Sequence, residues 1–143
     1  MARRRWFGVL VLGAISLGAC SSATAAKQDD RPPGRVERVH GSSRRRVILT
    51  GTAARRLGLR ERQIASAAGG GMVVPYAAVI YDPNGQAWVY QRVKPRTYER
   101  ARITVDRIDG DTAFLSSSPP LGTRVVSTAA AEVYGTEFFS DHE

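Results

Sequence analysis

Few residues of this 143-residue chain are of types that do chemistry, and their spacing limits what each could do. There is one cysteine, Cys20, so no internal disulfide can form. A lone cysteine most often packs as a small apolar residue, but a free thiol is also a nucleophile and an acyl acceptor. The two histidines, His40 and His142, have no second ligand at metal spacing, so no zinc or copper site is expected. Ser140-Asp141-His142 holds the residue types of a catalytic triad, yet consecutive residues at a terminus cannot take up triad geometry. Asp106, Asp109 and Asp111 could hold a weak Ca²⁺ ion, although Asp-Gly-Asp is more often ordinary turn chemistry. Gly69-Gly70-Gly71 lacks the Lys-Ser/Thr ending of a phosphate loop and runs into a strand pattern, so it reads as a tight loop. No catalytic constellation emerges, and the expectation is a protein that is not an enzyme and carries no cofactor.

Cys20 is the exception because of what precedes it. Met1 to Arg5 is positively charged, and Trp6 to Leu17 (WFGVLVLGAISL) is an apolar run of signal-peptide length. A bilayer-spanning helix needs roughly 20 apolar residues, so this run is too short to span. It ends in Leu17-Gly18-Ala19-Cys20, which resembles the bacterial lipobox. In that motif the thiolate receives a diacylglyceryl group, and the small residues admit a membrane-embedded peptidase to the bond before Cys. The resemblance implies a signal peptide at 1–19 and a lipidated Cys20 at the start of the mature chain. It places the protein on the outer face of the cytoplasmic membrane, anchored by lipid in the bacterial cell envelope.

The net charge of +8 would, taken alone, suggest nucleic acid. Three positive charges, Arg3, Arg4 and Arg5, fall in the signal segment, and eleven more lie between Lys27 and Arg62. From Ile64 onward seven basic residues face nine acidic ones, so the basicity is local to the front of the chain. With an extracytoplasmic location, nucleic acid is not expected as a partner.

Elements able to position a site follow the anchor. Residues 20–43 are rich in Ser, Ala, Pro and charge without an apolar period, and read as a flexible tether. Arg44-Arg45-Arg46 is either a contact for anionic lipid or wall polymer or a solvated, solubilising stretch. Val47 to Thr50 is a short strand candidate, with Thr50 capping a helical turn that Gly58 ends. Arg62 to Ala67 is a further strand candidate. The most organised stretch is Val73 to Val93, two apolar runs around Asp82-Pro83-Asn84-Gly85, which predicts a hairpin. Its faces carry Tyr76, Ala78 and Ile80 against Ala77, Val79 and Tyr81, so both sides are apolar and a central position is expected. Thr97 to Val105 alternates as a half-exposed strand, Thr112 to Leu115 is a short one, and Arg124 to Val126 another. Thr128 to Tyr134 predicts a short helix stopped by Gly135. Trp88 and Tyr90 share a strand face, which either packs inside or meets a partner.

The order Val74-Pro75, Ala78-Val79, Trp88-Val89-Tyr90, Tyr98-Glu99-Arg100, Ile103-Thr104-Val105, Asp109-Gly110-Asp111 and Pro120 to Val126 resembles the membrane-proximal region of periplasmic adaptors. These are membrane fusion proteins of the HlyD and efflux-adaptor type. The likeness spans roughly residues 45–138. The lipoyl and helical-hairpin modules of such adaptors have no room here, because only Gln63 to Met72 lies where they would insert. The resemblance implies a mainly β domain at 44–138, barrel-like or sandwich-like with one or two helical turns, and a disordered tail at 139–143. It also implies a non-enzymatic accessory module that docks on a transporter or envelope complex. Trp88, Tyr90, Arg92, Tyr98, Arg100 and Arg102 are the candidate partner surface. A stand-alone lipoprotein binding a small ligand or metal is the alternative.

Overall fold

The structure, a computed structural model, describes residues 32–139. In chain order they form β1 (Gly34–Arg38), β2 (Arg45–Leu49), α1 (Gly51–Arg56), β3 (Arg60–Gln63), β4 (Ala65–Ser66) and β5 (Met72–Pro75). A 3₁₀ turn (Tyr76–Ala78) leads to β6 (Ile80–Tyr81), β7 (Ala87–Lys94), β8 (Thr97–Arg102), β9 (Thr104–Asp109), β10 (Thr112–Ser117), β11 (Arg124–Thr128) and α2 (Ala130–Phe139). The protein is mainly β, as expected. One antiparallel sheet runs β1-β2-β8-β7-β11-β3, with β6 added on β7; the other runs β4-β5-β10-β9. Neither closes on itself, so the arrangement is two packed open sheets rather than a barrel.

Strand β7 lies inside the larger sheet and is buried on both faces near its middle. Val89 points into a core shared with the smaller sheet, among Ile64, Val74, Ala113, Leu115 and Val125. Tyr90 points the opposite way, into a second core with Val47, Leu49, Tyr98, Val126, Ala130 and Val133 under α2. The two-sided apolar pattern of Ala87 to Tyr90 therefore has its physical cause in two cores, one on each face.

The preceding half of the expected hairpin is different. Pro75 has no N–H to continue a ladder, and the chain leaves the smaller sheet there through the 3₁₀ turn. Only Ile80 and Tyr81 pair with β7, opposite Trp88 and Ala87. Met72 to Pro75 instead pairs with β10. Tyr76 and Tyr81 are 40% and 46% exposed, so that run is not apolar on two buried sides. The turn itself forms as expected. Asp82 Oδ1 accepts from the backbone of Asn84 and Gln86, both at 2.9 Å, and Gly85 takes a positive φ of 75°.

Sheet switching also divides two other expected strands. Arg62 to Ala67 becomes β3 and β4, in different sheets, on either side of buried Ile64. Thr97 to Val105 becomes β8 and β9, hinged at Ile103, whose side chain is also buried. In each case one apolar residue is drawn into the shared core and turns the chain between layers. Thr50 caps α1, accepting from Ala53 N–H at 3.1 Å, and Gly58 follows at positive φ, both as expected.

Two boundaries are corrected. Gly34–Arg38, expected within the tether, is the edge strand β1, in full register with β2 from Gly34↔Leu49 to Arg38↔Arg45. The last helix does not stop at Gly135 but runs to Phe139, because Glu137 is drawn into the core. No helix among the described residues is long and apolar enough to cross a membrane.

Candidate functional site

Five of the six residues expected on a partner surface lie in two polar clusters on one face of β7 and β8. In the first, Tyr90 donates to Glu137 Oε2 at 2.6 Å, and Arg100 Nε lies 3.0 Å from both carboxylate oxygens. Glu137 is 1% exposed and Tyr90 0%. The Arg100 guanidinium lies 4.8 Å from the ring centres of both Trp88 and Phe138. Such cation–π contacts strengthen when water is excluded. Trp88 in turn donates from Nε1 to Asp82 Oδ2 at 3.1 Å, tying the β6–β7 turn to the cluster. Arg45 Nη1 donates to the Glu137 carbonyl at 3.0 Å.

The second cluster is Tyr98, Glu61 and Arg92. Tyr98 donates to Glu61 Oε1 at 3.0 Å, and Arg92 Nη1 lies 3.3 Å from Glu61 Oε2. Burial, then the bond to a carboxylate, pushes both Tyr90 and Tyr98 well above the usual tyrosine range. Asp82 moves the other way. The Gln86 N–H is the largest influence and holds its carboxyl below the usual range, with Trp88, Asn84 and Arg100 assisting and burial opposing.

With both Glu137 oxygens engaged by Tyr90 and Arg100, this arrangement fastens α2 to the sheet and presents no reactive group. Tyr90 and Tyr98 are core residues and are not available to a partner, which corrects their place in the expected surface. Trp88 and Arg100 are half-buried, and Arg92 and Arg102 are exposed. Arg102 lines an open groove of about 430 Å³ with Tyr81, Ala87 and Ile108, of which Tyr81 and Ile108 are exposed apolar residues.

The Arg44-Arg45-Arg46 run is less free than expected. Arg46 binds Glu99 through Nε at 2.8 Å and also through Nη2; Arg44 lies 4.0 Å from the same carboxylate, and Arg45 reaches α2. Glu99, on the expected half-exposed strand, is 5% exposed beneath this pair. His40 sits in an exposed turn, and Asp106, Asp109 and Asp111 are exposed around the β9–β10 turn. Among the described residues no three His, Cys, Asp or Glu side chains converge as a metal site. Leu17, Gly18, Ala19, Cys20 and Ser140-Asp141-His142 lie outside the described residues.

Sequence reasoning missed Glu137 and Phe138. The signal was present, since Ala130, Val133 and Glu137 recur at the i, i+3, i+7 spacing of one helix face. Gly135 obscured it by reading as a stop. Compared with protein-family models, curated proteins and solved structures, the chain matches none of them.

Proposed function

We propose that this chain is a lipid-anchored envelope protein whose β-domain is a non-enzymatic docking module for a transporter or other envelope complex. The observation that carries the reading is the run from Arg3 to Cys20, a charged and apolar leader ending in Leu-Gly-Ala-Cys. The domain supports it in two ways. Its first strand begins at Gly34, so residues 21–33 join Cys20 to a folded body and reach at most about 45 Å when extended. A lipid on Cys20 would thus hold the domain within reach of other membrane proteins. Second, Arg102, Tyr81 and Ile108 leave a mixed apolar and cationic groove open beside β9, a composition suited to a protein partner.

Photocrosslinking in live cells tests the docking reading, with the photoreactive residue placed at Arg102. The expected product joins the chain to one integral membrane protein, and the same probe at Ser43 gives none. Equal, diffuse labelling from both positions, or no membrane protein from either, contradicts docking.

A further inference from the structure

The end of the domain at Gly34 carries several exposed cations, most of them without an acidic partner among the described residues. Gly34 pairs with Leu49, and β2 continues through β8, so Gly34, Leu49 and the β7–β8 turn lie together at one end of the larger sheet. Entry is fixed there. Thr50 N–H donates to Pro33 O at 3.0 Å, and Leu49 N–H to Arg96 O at 2.9 Å. Arg96 holds a left-handed backbone with φ of 56°, which sets the turn.

Arg55, Arg56, Lys94 and Arg96 are all exposed, and none has an acidic partner within 4.0 Å among the described residues. Arg55 folds back against Gly51, where an added Cβ would lie 3.4 Å from its Nη1. Arg35, Arg96, Gly51 and Leu49 line one open groove of about 430 Å³, and Arg35 is paired only with Glu37, at 2.8 Å. Segments 32–36, 47–60 and 92–98 contain no Asp or Glu. At the opposite end Arg44 and Arg45 are engaged by Glu99 and by the end of α2, while Arg38 and Arg102 are exposed there with no acidic partner among the described residues, so the chain's entry at Gly34 is what singles out the first end.

We infer that this entry end is a phospholipid-facing surface, with Arg35, Arg55, Lys94 and Arg96 meeting the phosphates of an anionic bilayer. The inference rests on the anchored reading, because the connection from Cys20 arrives at this same end. It assigns the lipid contact to the end away from the Arg44-Arg45-Arg46 run. A cation close to an anionic membrane is worth roughly five-fold in binding, and salt screens the effect within about a Debye length.

The test uses the mature chain from residue 20 with Cys20→Ser, so that no lipid contributes, and sedimentation with phosphatidylglycerol-rich or phosphatidylcholine vesicles. Binding to the anionic vesicles alone, falling with salt, is expected. Arg55→Gln with Lys94→Gln and Arg96→Gln weakens it on the order of 100-fold. The matched set Arg38→Gln, Arg44→Gln and Arg102→Gln, at the other end, leaves it nearly unchanged. Equal loss from both sets, no loss from the first, or retention by a soluble polyanion without vesicle binding overturns the inference. Thermal unfolding of each set confirms that it is folded. Acylation of wild-type Cys20 is read separately, so a failed anchor and a failed basic surface are distinguishable.

Discussion

Glu137 shows how much one side chain can organise. A carboxylate at 1% exposure is stable only when its oxygens are satisfied, and Tyr90 and Arg100 do this from two different strands. Arg100 keeps about a quarter of its side chain exposed, so part of the attraction is screened. Removing one partner still leaves the other uncompensated. Glu137→Ala is therefore expected to cost about 3 kcal/mol and Tyr90→Phe about 1 kcal/mol in chemical denaturation. In combination the two should cost less than their sum, because they share one interaction.

The two buried tyrosines make a prediction at alkaline pH. Their folded-state pKa values are raised above the ordinary value near 10, so the fold favours the protonated phenol. The resulting stability is complete below about pH 10 and is lost as pH rises from there toward the raised values. Tyrosinate absorbance from Tyr90 and Tyr98 should therefore appear only with unfolding, and Tyr90→Phe should remove one tyrosine from that late phase. Asp82 works in the opposite sense. Its lowered pKa stabilises the β6–β7 turn above about pH 4, and that contribution fades as pH falls through the lower folded value.

At the scale of elements, two glycines separate the observed boundaries from the expected ones. Gly34 belongs to β1, and a Cβ there would lie 3.0 Å from Leu49 Cδ2 and 3.2 Å from Thr136 Cγ2. Gly135 sits inside α2, where a Cβ meets nothing closer than Phe139 Cδ2 at 4.0 Å. Gly135→Ala should stabilise by about 0.5–1 kcal/mol through helix propensity, while Gly34→Ala destabilises. Opposite shifts in melting temperature would confirm that β1 packs under α2. A neutral Gly34→Ala would return that segment to the tether.

The elements legible in sequence were those with local punctuation. Thr50 and Gly58 bracket α1, Asp82 to Gly85 make their turn, and Asp109-Gly110-Asp111 and Pro120 to Gly122 end strands where expected. The illegible ones depend on distant partners. Val36 becomes part of an edge strand only because Val47 stands opposite it, and nothing in Gly34 to Arg38 announces that pairing. Likewise Pro75, Ile64 and Ile103 mark changes of sheet, which a period-2 pattern cannot distinguish from a continuing strand. For the site, the sequence leaves the aromatic face of β7 open between packing and a partner, and the structure buries Tyr90 fully and Trp88 in part. Tyr90 faces a helix that runs past Gly135, the residue that reads as its stop.

For the whole molecule, the described domain has two cores separated by β7, and its polar clusters serve to hold α2 and the strands together. Two features bear on the proposed anchored role: the charged and apolar run ending in Leu17-Gly18-Ala19-Cys20, and the exposed cations gathered at the Gly34 end of the larger sheet. With a lipid on Cys20, as proposed, residues 21–33 would keep the domain within about 45 Å of it, where weak docking contacts would gain from high local concentration. The most direct measurement is the intact mass and N-terminal sequence of the protein purified from cell envelopes. A chain beginning at Cys20 and bearing a diacylglyceryl group is expected, with Cys20→Ser abolishing both the lipid and the cleavage. A chain that begins elsewhere, or begins at Cys20 without lipid, would contradict the anchored role.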